Sequence, residues 1–295
     1  MLTLHQTPAR LPARTVILGA GGFVGRAILA RLQRDGANVL PLTRKEVDLL
    51  APKAAEQLAA HLAGQPTLVL TSALAPVKTS AMLLDNLRMM QAVLAAVKAQ
   101  PVAHLAYVSS DAVYADSRAP LTEASPAEPG SLHGAMHLAR EIMLKAELPG
   151  TPLAIVRPTL IFGPGDPHNG YGPNRFLRLA RAGQAIPLFG EGEEQRDHVF
   201  IEDVAEIVCR CVAYRATGVV NAVSGTVTSF RTVAEQAAEL FTPRVPMQGS
   251  PRQGPMPHGG YRAFDPALLR RHFPDFAPVN LRAGLERMRA SLSAA

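Results

Sequence analysis

The sequence predicts an α/β fold built on a doubly wound parallel sheet, and three observations carry that reading. Short apolar runs alternate with helical patterns through the first half of the chain. The runs are apolar almost without interruption, as strands buried on both faces are. Several of them stop in glycine- or serine-rich segments, and sheets of this kind bind ligands at the carboxyl ends of their strands.

Taken in order, RTVILGA reads as a buried strand ending in glycine, and FVGRAILARLQRDG follows with helical periodicity. Gly36 stands where a C-terminal cap belongs. ANVLPLT is a second strand, in which Pro41 either weakens the assignment or marks the end. The helix PKAAEQLAAHLAG and the strand TLVLTSA come next, then a long helix over roughly SAMLLDNLRMMQAVLAAVKAQ and the strand VAHLAYVSS. SLHGAMHLARE opens a helix running to about Lys145, and TPLAIVRP is another strand. After Pro158 the texture changes: IFGPGDPHNGYGPNRF is rich in Gly and Pro and reads as loop. IEDVAEIVCRCVAYR, SFRTVAEQAAELF and PALLRRHF read as helices, and GVVNAVSG, near 218–224, as a strand returning to the main sheet. The expected organisation is a domain over 14–160 and a smaller lobe made mainly of 161–295.

The bulk composition narrows the class. A length of 295 residues suits one large domain or two tightly joined ones, and 47% hydrophobic with 18% charged residues is ordinary for a soluble globular chain. No apolar run is long enough to span a bilayer. MLTLHQTPARLPAR has two prolines and no apolar core, so it reads as a short loose leader rather than a signal peptide, and the cytoplasm is the default location. Cys209 and Cys211 lie two apart on a helix and face different ways, which points to buried thiols rather than a disulfide or zinc pair. The net charge of +6 raises nucleic-acid binding, but the arginines are scattered and aromatics are only 5%. An anionic small molecule accounts for the same excess, so neither nucleic acid nor membrane is expected as a partner.

Within GAGGFVG, residues Gly19, Gly22 and Gly25 have a GxxGxxG spacing between a strand and a helix. Glycines there permit a tight turn and the close approach of a diphosphate, and the helix N-terminus offers free N–H groups and partial positive charge. This predicts dinucleotide binding. The second strand ends in Thr43, Arg44 and Lys45. Two cations and no carboxylate favour NADP(H), with NAD(H) the alternative; Asp48 would contact the adenine amine or cap the next turn.

In SLHGAMHLARE, His133, His137 and Glu141 fall on one helical face. That pattern fits a metal site, half of a catalytic apparatus, or a polar stripe.

GAGGFVG, YVSSDAVY at 107–114, RPTLIFGPGD and QRDHVFIEDVA at 195–205 together resemble the extended short-chain dehydrogenase/reductases. More narrowly they resemble the NAD(P)-dependent epimerase/dehydratase group acting on nucleotide sugars, from about Arg14 to at least Asp265. The resemblance implies a Rossmann-type sheet of about seven strands with a smaller C-terminal substrate lobe. It implies hydride transfer between nicotinamide and a sugar carbon, followed by epimerisation, dehydration or reduction. Ser110 matches the catalytic hydroxyl. Asp111 stands where dehydratases of the group carry an acid, but Ala112 replaces the Glu that usually follows. His133 occupies the Tyr position and His137 the Lys position of the family's YxxxK, with Gly134 and Glu141 matching the flanking pattern. The resemblance assigns cofactor contacts to Phe23, Val24, Ala73, Ser109, His137, Pro158 and Ile161, beside the glycines, Arg44 and Asp48. It assigns substrate contacts to Asn174 (or this is a helix N-cap), Phe189 on the loop over the base, and Arg196 and Arg262 on the diphosphate, with Asp197 orienting Arg196. It also implies a homodimer through helices at about 79–99 and 131–147, where Met82, Met89, Met90, Met136 and Met143 form either an adaptable interface or core.

Histidine titrates near neutrality, so His133 can carry a proton without a cationic helper, while neutral His137 can donate one hydrogen bond to ribose. Four readings of the pair stay open: catalytic histidines in an active enzyme, a cofactor-binding protein with weak or lost oxidoreductase activity, plain surface or core histidines, and a metal site. The metal reading lacks a clear fourth ligand, and no metal is expected. The function read from the sequence is an NAD(P)-dependent reductase or epimerase of a nucleotide-diphosphate sugar.

Overall fold

A computed structural model describes residues 2–293. In chain order its elements are β1 (Thr15–Leu18), α1 (Phe23–Arg34), β2 (Val39–Leu42), α2 (Ala54–His61), β3 (Thr67–Leu70), α3 (Ser80–Ala99), β4 (His104–Val108), α4 (Leu132–Glu147) and β5 (Leu153–Pro158). These are followed by β6 (Leu160–Phe162), α5 (Pro173–Arg181), β7 (Ile186–Phe189), β8 (Gln195–Phe200), α6 (Ile201–Ala213), β9 (Gly218–Ala222) and β10 (Val227–Ser229). The last are α7 (Phe230–Ala238), β11 (Met247–Ser250), β12 (Tyr261–Arg262), α8 (Ala267–His272) and α9 (Leu281–Ser293).

The chain divides into two compact units. The first comprises the residues through Ala115, Glu123–Pro158 and Val204–Ala222. It is built on a six-stranded parallel sheet in the order β2-β1-β3-β4-β5-β9. The apolar strands sit at its centre: β1, β3 and β4 are buried along their whole length. Leu58, Met90, Val93, Val97 and Leu144 cover one face from α2, α3 and α4.

The sheet has one strand fewer than the family resemblance implies. Between Leu42 and Thr67 the chain forms only α2, which leaves no length for a further strand and crossover, so β2 becomes the edge. That explains Pro41, which lies inside β2 opposite Ile17, because an edge strand does not need the missing N–H. The N-terminal leader is not loose. Thr3 pairs with Thr217, His5 and Gln6 donate backbone N–H groups to the Tyr214 carbonyl, and Arg10 donates to Ala213.

The second unit comprises Asp116–Thr122, Thr159–Asp203 and the residues from Val223 onward. Its strands are short: β8 pairs with β6, β10 and β12, and β7 pairs with β11. Phe162, Phe176, Leu188, Phe200, Phe230 and Val233 are among its buried side chains. β6 and the start of α5 lie in the segment whose composition reads as loop. Among the described residues no helix is long and apolar enough to cross a membrane.

Candidate active site

The glycine loop is shaped by its backbone. Gly19 has φ +99°, a conformation that favours glycine, and a Cβ there would meet Thr71 Oγ1 and the Ser72 backbone. A Cβ on Gly25 would run into the Gly19 carbonyl oxygen, so α1 can pack this closely on β1 only with glycine present. Gly22 is the N-cap of α1 in extended conformation, no side chain caps this end, and the first turn has no acid. Phe23 and Val24 begin the helix, half-buried. The loop sits where the strand order reverses between β1 and β3, the usual ligand crevice of such sheets. An uncapped positive helix end beside a side-chain-free turn fits a dinucleotide diphosphate. Ala73 is half-buried in the loop after β3, and Pro158 is buried at the end of β5.

The turn after β2 holds more carboxylate than its first residues suggest. Glu46 Oε2 accepts from the Thr43 backbone N–H at 2.8 Å and from the Thr43 hydroxyl at 2.6 Å, bonds that hold its carboxyl below the usual range. Asp48 accepts from Arg44 at 3.2 Å and from the Leu50 N–H at 3.1 Å. Glu46 is missed by reading only the last residues of the strand.

Ser110 caps the 3-10 turn Asp111–Val113 that follows β4, accepting from the Ala112 N–H at 3.2 Å. This turn lies against α4 because residue 134 is glycine: a Cβ would overlap the Ala112 carbonyl oxygen. The Ser131 hydroxyl caps α4 by accepting from the Gly134 N–H. On the inward side of the helix, His133 is half-buried and His137 and Glu141 are buried. The His133 and His137 rings meet edge-on with centres 4.8 Å apart. His137 Nδ1 lies 2.8 Å from the Tyr107 hydroxyl. Burial holds His137 well below the usual histidine range, and the neighbouring His133 and Arg140 add to this; burial pushes Tyr107 up to about 12.

Glu141 has a different task. Its carboxylate accepts from Arg157 at 2.9 and 2.6 Å, a bidentate pair, and from the Ser109 hydroxyl at 2.6 Å, tying α4 to β5 and to the end of β4. It does not join the histidines in one cluster, and among the described residues no group of three or more His, Cys, Asp and Glu is placed to hold a metal.

In the second unit, Arg262 of β12 and Arg196 of β8 are register partners on adjacent parallel strands, so both side chains leave one face of the sheet. Arg196 Nε donates to Glu194 Oε1 at 2.7 Å. Arg262 is buried and donates to Asp116 at 3.3 Å. Asp197 does not orient Arg196: strand alternation puts it on the opposite face. There it accepts from the Thr159 hydroxyl at 2.9 Å and from the Ser224 and Gly225 N–H groups at 3.0 and 2.7 Å. Glu194, two residues away and on the correct face, does the orienting. Asn174 is not the N-cap of α5: Gly172 is, and Pro173 opens the helix. The Asn174 amide instead bonds the Gly163 backbone at 3.1 and 3.2 Å and Asp166 at 2.7 Å. Phe189 is half exposed at the end of β7, with its ring centre 4.6 Å from that of Tyr171. Ile161 lies half-buried in β6. Two further groups escaped the sequence reading. Arg252 lies 3.6 Å from Glu194, and Tyr171 is surrounded by Phe176, Phe189 and Phe230. Nothing local in the sequence marks either.

Residues 15–223 match the NAD dependent epimerase/dehydratase family, and the chain belongs to that family. It is 36% identical over 150 residues to the dTDP-L-rhamnose 4-epimerase of Burkholderia thailandensis, an alignment covering 48% of this chain and only 40% of that protein. It is 28% identical to the UDP-glucose 4-epimerase of Mycolicibacterium smegmatis, over 67% of this chain and 72% of the relative. A putative epimerase from Burkholderia cenocepacia superposes with a TM-score of 0.84 at 24% identity, covering 97% of this chain and 100% of that one. The UDP-N-acetylglucosamine 4-epimerase of Bacillus cereus superposes with a TM-score of 0.83 at 20% identity, covering 96% and 97%. At such identities these structures establish the shared fold.

Proposed function

We propose that this chain exchanges hydride between NADP(H) and a sugar carbon of a nucleotide-diphosphate sugar, as an epimerase or a reductase. The observation that carries the substrate class is the adjacent Arg196 and Arg262 on one sheet face, planar forks suited to a diphosphate. The glycine cradle and the uncapped α1 carry the cofactor. Gly19, Gly22, Phe23, Val24 and Gly25 would hold the diphosphate, and Ala73, Ser109, His137, Pro158 and Ile161 would line the remaining length. The bound nicotinamide supplies the hydride chemistry. Ser110 would hold the reacting hydroxyl or carbonyl oxygen, His133 would take or return its proton, and Asp111 lies next in line. Asn174 would shape the substrate loop and Phe189 cover the base.

The test is turnover with a panel of nucleotide-diphosphate sugars. Reduction is read as loss of NADPH absorbance at 340 nm, and epimerisation as new anomeric signals by NMR. We expect one of the two, and His133→Ala should lower the rate about 10²- to 10⁴-fold with NADPH binding intact. Tight NADPH binding with no turnover of any such sugar would favour a cofactor-binding protein without oxidoreductase activity. For the cofactor, Arg44→Ala should weaken NADPH binding at least ~10-fold more than NADH binding; equal losses would favour NAD(H), with Glu46 or Asp48 on the ribose.

Self-association belongs to the same reading. Met89, Met90 and Met136 are buried, so the methionine stripe is largely core, while Leu84 on α3 and Ile142 on α4 are more than half exposed. Those two would form the apolar centre of a helix-to-helix dimer in the cytoplasm, and Ile142→Asp should reduce the sedimenting mass to that of one chain.

A further inference from the structure

Arg140 lies one turn beyond His137 on α4, and its side chain is wholly buried. Nη1 donates to the Ser72 carbonyl at 2.8 Å, and the guanidinium carbon is 5.4 Å from the centre of the Tyr107 ring. Nε and Nη2 have no hydrogen-bond partner. The adjacent Glu141 carboxylate is occupied by Arg157 and Ser109, and among the described residues no carboxylate forms an ion pair with Arg140. A buried charge without a counter-ion acts through a weakly screened field. That field falls first on Tyr107, on His137 bonded to it, and on His133 against the His137 ring.

We propose that Arg140 is the positioning residue of this site, a fixed cation whose field disfavours a second positive charge on the adjoining His133–His137 pair. In this arrangement the Tyr107 O–H donates to His137 Nδ1, 2.8 Å away, and the ring proton of His137 resides on Nε2. His137 is then a fixed N–H donor and not a second base, and the proton traffic falls to His133. The other titratable or charged groups on the elements packed here are Tyr107 of β4, Asp111 of the following turn, and Glu141 with Arg157 of β5, whose charges cancel. Lys145 lies 3.9 Å from Glu141, Lys98 of α3 pairs with Glu147 at the far end of α4, Asp85 and Arg88 of α3 pair with each other at 3.1 Å, His104 at the start of β4 bonds the Ala216 carbonyl, and the buried Asn86 of α3 is uncharged. None of these offsets Arg140.

This rests on the reading of His133 as the proton carrier, but its test needs no substrate. Imidazole nitrogen spectra of the full chain are recorded between pH 8 and 5 for wild type, Arg140→Gln and Arg140→Lys. In the wild type His137 should stay neutral throughout with the Nε2–H pattern. Arg140→Gln should raise the His133 midpoint by about one pH unit, while burial still keeps His137 from titrating. Arg140→Lys should keep the wild-type pattern. A wild-type His137 that titrates near 6.5, or carries its proton on Nδ1, overturns the proposal even if Arg140→Gln does not fold. So does a folded Arg140→Gln with the His133 midpoint unmoved. A chain that turns over no sugar yet gives the expected titrations refutes only the functional reading.

Discussion

Two buried polar assemblies sit side by side on α4, and they are built in opposite ways. Glu141 and Arg157 cancel each other's charge, and Glu141 accepts from three donor groups. One residue earlier, Arg140 makes one backbone hydrogen bond and lies against an aromatic ring, with two guanidinium nitrogens unsatisfied. The first assembly holds strands and helix together and leaves no net field. The second contributes less to holding the fold and leaves its charge acting on the histidines. A saturated buried network serves cohesion, whereas an unsaturated one sets the protonation of its neighbours.

The sharpest way to break this contrast is Glu141→Ala. It leaves Arg157 buried without its partner and Ser109 without its acceptor, and should cost about 3–5 kcal/mol in denaturant unfolding. Gly134→Ala forces α4 away from the Ala112 carbonyl and should cost about 1–3 kcal/mol. It should also lower turnover, because His133 moves with the helix while Ser110 does not. His198 gives a third kind of buried polar group: both ring nitrogens lack partners, and burial lowers its pKa to about 3. The fold favours the neutral ring, so His198 adds a pH-dependent destabilisation as pH falls below about 6.5, with a slope of roughly 1.4 kcal/mol per pH unit, on top of the constant cost of its two unpaired nitrogens. The stability of His198→Phe relative to wild type should rise progressively from pH 6.5 toward pH 5; a difference in melting temperature that stays constant over that range would contradict this. The smallest effect belongs to Arg140→Met. Replacing an uncompensated buried charge by an apolar side chain should leave stability within about 1 kcal/mol of wild type or raise it. A loss as large as that of Glu141→Ala would erase the distinction.

The central sheet was legible because each strand and helix announces itself over adjacent residues. The apolar run of Thr15–Leu18, the cap at Gly36 and the glycine spacing after β1 are all local signals. Pro41 was ambiguous because only the strand order reveals that β2 is an edge. In the second unit, β6, β10 and β12 are three residues or shorter, too short for a period to show, and β11, MQGS, has no apolar run. The partners of site residues were the least legible. Alternation along β8 already separates Arg196 from Asp197, but Asp197 finds Thr159 and Ser224 only through the folded chain. Arg140 carries no local mark in the sequence, since its meaning lies in what fails to pair with it.

Cys209 and Cys211, the only thiols of the chain, are buried in α6 with pKa values pushed up to about 12 by that burial. They therefore present almost no thiolate at neutral pH while α6 is closed. An alkylating reagent should label them only as fast as that helix opens. The chain thus carries its own reporter of local breathing, and the labelling rate with and without dinucleotide would time how far ligand binding quiets the helix that leads into β9.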